Sequence, residues 1–106
     1  MASTLINVPA NAKHGEIIEI KTLVSHTMET GYRRTVTGET VPRDIITSFT
    51  CRYNGAEIFR ADLFPATAAN PFITFTTVAT ESGKFEFEWI GDNGFSETVS
   101  ASITVA

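Results

Sequence analysis

The feature that most constrains this chain is a strict alternation of apolar and polar residues. In "FSETVSASITVA", Phe95, Glu97, Val99, Ala101, Ile103 and Val105 fall on one side, and Ser96, Thr98, Ser100, Ser102 and Thr104 on the other. A period of two is the mark of a β-strand with one wet face, because successive side chains leave opposite faces of the pleat. Only Glu97 breaks the pattern, near the strand start. The run "KFEFEWI" repeats it, with Phe85, Phe87 and Trp89 on one face and Glu86 and Glu88 on the other. Between the two lies "GDNG" (Gly91 to Gly94), whose residues tolerate positive φ, so the pair is expected to form a hairpin.

A second hairpin is expected around Asn54-Gly55, since Asn-Gly between alternating runs is the strongest short hairpin signal. Its first arm, "IITSFTCRY", puts Phe49, Cys51 and Tyr53 together; its second, "AEIFRADL", puts Phe59, Ala61 and Leu63 together. Further strands are expected over Glu16 to Ser25 and Phe72 to Ala79. The short N-terminal strand "TLINV" ends at Pro9, which suits a sheet edge. "RTVTGETVP" reads as a small two-stranded ribbon turning at Gly38-Glu39, and "FPATAANP" (Phe64 to Pro71) as a crossing from one sheet to the other. No helical period is present. The expectation is an all-β fold, an immunoglobulin-like antiparallel β-sandwich of about seven strands. At 106 residues it forms a single domain over residues 1–106.

Charge and composition exclude several functions. The net charge is −4. A general nucleic-acid binder needs a basic footprint, and an anionic membrane surface would repel this chain for the same reason. No apolar run approaches the length of a membrane span. The single cysteine, Cys51, allows no intrachain disulfide. The N-terminus lacks the charged and apolar regions of a signal peptide, and Arg33-Arg34 has no apolar segment behind it.

Residues capable of chemistry are few. His14 and His26 are far apart, with no Cys or third His near either, so no zinc spacing exists. His26 with Met28 makes only two soft-metal ligands. Cys51 alternates with Phe49 and Tyr53 and reads as a small buried hydrophobe. Glu86 and Glu88 could do acid–base work as a pair, but their alternation with aromatics makes them the wet face of a strand. No nucleophile motif, HExxH or phosphate-binding glycine loop is present. What is left is the long loop from His26 to Arg43. His26, Met28, Glu29, Tyr32, Arg33 and Arg34 make it a candidate partner-docking loop, because Tyr, Arg and Met are enriched at protein–protein contacts. Physical chemistry alone allows a plain solvated excursion as well.

The runs "KTLVSHTMETG", "PRDIITSFTCRYNG", "ANPF" and "GKFEFEWIGDNG" resemble the SoxZ family, small subunits of the SoxYZ sulfur carrier of bacterial thiosulfate oxidation. The resemblance runs from about Gly15 to the C-terminus. It implies an immunoglobulin-like fold, no cofactor, and a non-catalytic subunit that pairs with SoxY. SoxY holds the covalent sulfur intermediate on a cysteine near its C-terminus and presents it to SoxAX, SoxB and SoxCD. It also implies a periplasmic protein, co-exported with SoxY and lacking a signal of its own. An apolar partner face would favour a homo-oligomer when the chain is isolated. Two other readings are a stand-alone immunoglobulin-like protein- or carbohydrate-binding module, and a small enzyme or metal protein using His26, Met28 and Cys51.

Overall fold

The computed structural model describes residues 3–106. The alternating runs become β1 (Thr4–Asn7), β2 (Asn11–Ala12), β3 (Ile17–Val24), β4 (Ile46–Tyr53), β5 (Ala56–Asp62), β6 (Phe72–Val78), β7 (Gly83–Gly91) and β8 (Ser96–Val105). They form a three-stranded sheet, β1-β3-β6, and a five-stranded sheet, β2-β8-β7-β4-β5. The expected immunoglobulin-like sandwich is therefore the architecture found. The segment from Phe64 to Pro71 does join the two sheets, and β1 does lie at an edge.

Two local expectations need correcting. There is an eighth strand: after Pro9 the chain leaves the three-stranded sheet, and β2 pairs in parallel with β8 at Asn11↔Thr104 and Ala12↔Val105. Two residues give too short a pattern for alternation to reveal them. The "RTVTGETVP" ribbon reverses earlier than expected, over Thr35 to Gly38, and is held by one isolated bridge, Arg34↔Thr40, rather than by strands. The "GDNG" hairpin forms as expected: β7 pairs with β8, and Asn93 (φ 59°) and Gly94 (φ 75°) supply the positive φ within a 3-10 turn over Asp92–Gly94.

The Asn54-Gly55 hairpin forms as expected. Asn54 (φ 49°) and Gly55 (φ 86°) are both left-handed, as a type I′ turn requires. Beyond it, the register shifts between Cys51↔Phe59 and Arg52↔Glu57, leaving Ile58 as a bulged residue.

Facing β-residues fill the core. Trp89, Phe49, Phe85, Phe87 and Cys51 are fully buried. Phe49 packs against Trp89 with centroids 5.1 Å apart. The parallel stack of Phe59 on Phe75, at 4.3 Å, ties β5 of one sheet to β6 of the other. Burying each such side chain stabilises by about 1.5–3 kcal/mol. The Trp89 indole N–H has no partner among the described residues, so packing alone holds the ring. The Tyr53 hydroxyl accepts from the Glu81 and Thr80 N–H groups and donates to the Glu81 carbonyl. That closes the sandwich at the hairpin end.

The molecule measures 60 × 20 × 19 Å. The longest strand has ten residues, or about 33 Å of extended chain. The longest connection between strands runs from β3 to β4, over residues 25–45.

Candidate functional site

Residues 25–45 connect β3 to β4 across the sandwich. They form a finger with a clamped base and an open tip. At the base, His26 and Asn70 exchange hydrogen bonds: the His26 N–H donates to Asn70 Oδ1 at 2.8 Å, and the Asn70 N–H to the His26 carbonyl at 2.7 Å. The imidazole is turned inward, its side chain 8% exposed. It meets Phe95 edge-on at 5.0 Å. Its Nδ1 accepts from the Met28 N–H at 3.0 Å, which puts the ring hydrogen of the neutral form on Nε2, 3.9 Å from Asp44 Oδ1.

Met28 follows at φ 53°, a left-handed conformation that swings its side chain into the core. It is 4% exposed, and its Sδ accepts from the Ile46 N–H at 3.2 Å. Opposite it, Glu29 and Asp44 exchange backbone hydrogen bonds of 2.9 and 2.8 Å. Gly31 crosses Arg43 so closely that a Cβ there would lie 3.0 Å from Arg43 Cβ, and its φ of 87° suits glycine.

The clamp comes from the β7–β8 turn. Asp92 accepts from Arg43 Nε at 2.8 Å, from Arg43 Nη2 at 2.9 Å and from the Ile45 N–H at 3.1 Å. These donors, the guanidinium first, hold its carboxyl below the usual carboxylate range. Sequence reading took Asp92 as a turn residue. Only a contact across 49 positions gives it a role, and no local pattern announces that.

The tip is different. Tyr32 is 80% exposed and Val36 fully exposed. Arg33 lies on Glu29, with Nη2–Oε1 at 2.7 Å and Nε–Oε1 at 3.1 Å. The guanidinium holds the Glu29 carboxyl below its ordinary range. Arg34 donates to the Gly38 carbonyl at 3.0 Å. From residue 26 to 44 there are three arginines (Arg33, Arg34, Arg43) and three carboxylates (Glu29, Glu39, Asp44), so the finger carries no net charge. Its exposed tip combines the Tyr32 ring and the Val36 side chain with the guanidiniums of Arg33 and Arg34.

The structure thus divides the six candidate residues of this loop. His26 and Met28 face inward and hold the base; Tyr32, Arg33 and Arg34 face solvent, with Glu29 half-buried between them. Val36 is a surface residue that sequence reading passed over: it lies inside the Thr35–Gly38 turn, whereas the reversal was expected later, at Gly38-Glu39. Among the described residues no three of His, Cys, Asp and Glu cluster closely enough to hold a metal ion. Cys51, deep in the core, has its thiol pushed up to about 12 by burial. A thiol kept protonated and covered is a poor nucleophile.

Solved structures share this fold. The superoxide reductase (neelaredoxin) from Ignicoccus hospitalis is 17% identical, with a TM-score of 0.76 over 98% of this chain and 80% of that one. A putative superoxide reductase from Thermotoga maritima is 17% identical, with a TM-score of 0.71 over 97% of this chain and 85% of that one. The sulfur carrier protein SoxY from Chlorobium limicola f thiosulfatophilum is 10% identical, with a TM-score of 0.68 over 97% and 78%. At such identities the likeness is one of fold alone. No curated protein matches the sequence. The family described as "Sulphur oxidation protein SoxZ" matches residues 6–102, nearly the whole chain. The chain therefore belongs to the SoxZ family.

Proposed function

We propose that this chain is the non-catalytic half of a SoxYZ-type carrier in periplasmic thiosulfate oxidation, reaching that compartment by co-export with SoxY. It pairs with SoxY, whose C-terminal cysteine bears the sulfur intermediate, and helps present that intermediate to SoxAX, SoxB and SoxCD. Family membership over residues 6–102 carries the reading. The state of Cys51 supports it: the one thiol of this chain is fully buried in mid-strand, so the carried sulfur needs another chain's cysteine.

In this reading the finger tip is the docking surface. Tyr32 and Val36 supply its apolar contact and Arg34 its polar rim, while the clamped base fixes its direction. Aromatic and arginine side chains of this kind carry much of the energy at protein contacts. The test is co-expression with SoxY, followed by reconstitution with the Sox enzymes. A tight complex is expected from the wild type and from Tyr32→Ala/Val36→Ser alike, with thiosulfate-dependent turnover lowered several-fold in the variant. No complex with SoxY would overturn the reading, and undiminished turnover would remove the tip from it.

A further inference from the structure

The two sheets expose four edges, and three are guarded. β2 and β1 are short, with two residues and four, and the lengths of β8 and β3 that they leave open carry Glu97 and Glu19. β5 is bulged and carries Glu57, Arg60 and Asp62. Short edges, bulges and charges all discourage strand addition. β6 has none of these defences. It reads Phe72-Ile73-Thr74-Phe75-Thr76-Thr77-Val78, seven β-favouring residues with no charge, proline or glycine. β3 is its one neighbour.

The direction of its free hydrogen-bonding groups follows from the ladder. The Pro71 carbonyl accepts from the Val24 N–H, and the Ala79 N–H donates to the Glu16 carbonyl, so odd-numbered residues face β3. The N–H and C=O groups of Phe72, Thr74, Thr76 and Val78 then point away from the sheet, because an antiparallel strand alternates its bonding side. Among the described residues no hydrogen bond outside the β3 ladder reaches them.

We infer that a second copy of this chain occupies the β6 edge, in antiparallel register about a two-fold axis at Phe75, making one six-stranded sheet from two three-stranded ones. The sequence is self-complementary in that register. Phe72 stands opposite Val78 of the second copy and Thr74 opposite its Thr76, each pair exchanging two backbone hydrogen bonds. Thr–Thr and aromatic–aliphatic cross-strand pairs are favourable, and with no charge on either strand no like charges meet. The outer face also matches. Leu5, Leu23 and Phe72 already form one cross-strand row, and Val78 pairs with Ile17. Joining Phe72 to the second copy's Val78 continues the row into its Ile17. The isologous contact closes on itself, so it ends at a dimer. It requires no part of the Sox reading.

Sedimentation of the isolated chain should give twice 11.6 kDa at tens of micromolar. Thr74→Lys/Thr76→Lys puts lysines opposite lysines and should give monomers. Thr74→Glu/Thr76→Glu should do the same, and an equimolar mixture of the two variants should recover the dimer. Thr74→Cys/Thr76→Cys should cross-link between copies under mild oxidation, since directly paired Cα atoms lie about 5.5 Å apart. This second arm holds even if a charged variant fails to fold. A wild-type monomer at all concentrations overturns the inference. So does a dimer indifferent to the lysines, or a cysteine variant that forms no covalent dimer. A wild-type monomer whose lysine variant loses only SoxY assigns the edge to SoxY instead, and overturns it too.

Discussion

The base and the tip of the finger are built from neighbouring residues of one loop, yet they obey different rules. At the base, Met28 is core, His26 is packed on Phe95, and Asp92 reaches across from another turn to fix Arg43 and Ile45. At the tip, Tyr32 and Val36 touch little, and the backbone from Thr35 to Glu39 is held by its own short-range hydrogen bonds. In the proposed reading the tip meets another protein, and it needs a fixed direction to present Tyr32 and Val36. Here the fixing is done from beneath, by groups that do not compete for the exposed side chains.

Substitutions can break that contrast. Met28→Ala should have the largest effect, a loss of about 2–5 kcal/mol in denaturant unfolding, because it empties core volume and takes the acceptor from the Ile46 N–H. Met28→Leu keeps most of the volume and should recover most of the loss. Asp92→Asn comes next, with a lower melting temperature at neutral pH. The sign follows from the direction of its shift. A carboxyl held below its unfolded value contributes stability above that value, and loses the contribution as pH falls through the folded one. The melting-temperature gap between wild type and Asp92→Asn should therefore close in acid, and a gap constant with pH would show that Asp92 is not ionised in the clamp.

A thiol reagent offers a sharper comparison of core and tip. Native Cys51 should stay unmodified until the protein unfolds, while the added thiol of Tyr32→Cys should react at once. Rapid modification of native wild-type protein would contradict the buried placement of Cys51. The smallest stability effect belongs to Tyr32→Ala and Val36→Ser, expected within about 0.5 kcal/mol of wild type. A larger loss would mean that the tip is part of the fold rather than an appendage to it.

The same division explains what could be read in advance. Period-two alternation over "KFEFEWI" and "FSETVSASITVA", and Asn54-Gly55, located strands, faces and hairpins correctly because those patterns are local consequences of the pleat and of turn sterics. Met28 could not be placed so. Its inward turn depends on a left-handed φ in a loop without periodicity. Asp92 was invisible as a clamp because its partners are remote in sequence, and β2 because two residues have no period. In the candidate docking loop the residue types were legible, but which of them face solvent was decided by contacts with β4, with Asn70 and with the β7–β8 turn.

The parallel seam between β2 and β8 has a consequence for the order of events in the cell. It joins the beginning of the chain to its last strand, at Asn11↔Thr104 and Ala12↔Val105. A ribosome delivers those partners with five other strands made between them. The five-stranded sheet cannot be completed until β8 has been made, and an all-β sandwich, rich in non-local pairings, folds slowly, on the millisecond-to-second scale. In the interval the uncharged β6 strand is present without its final surroundings, exposed to any strand that can pair with it. A partner made at the same time would meet that edge before the sandwich had closed behind it.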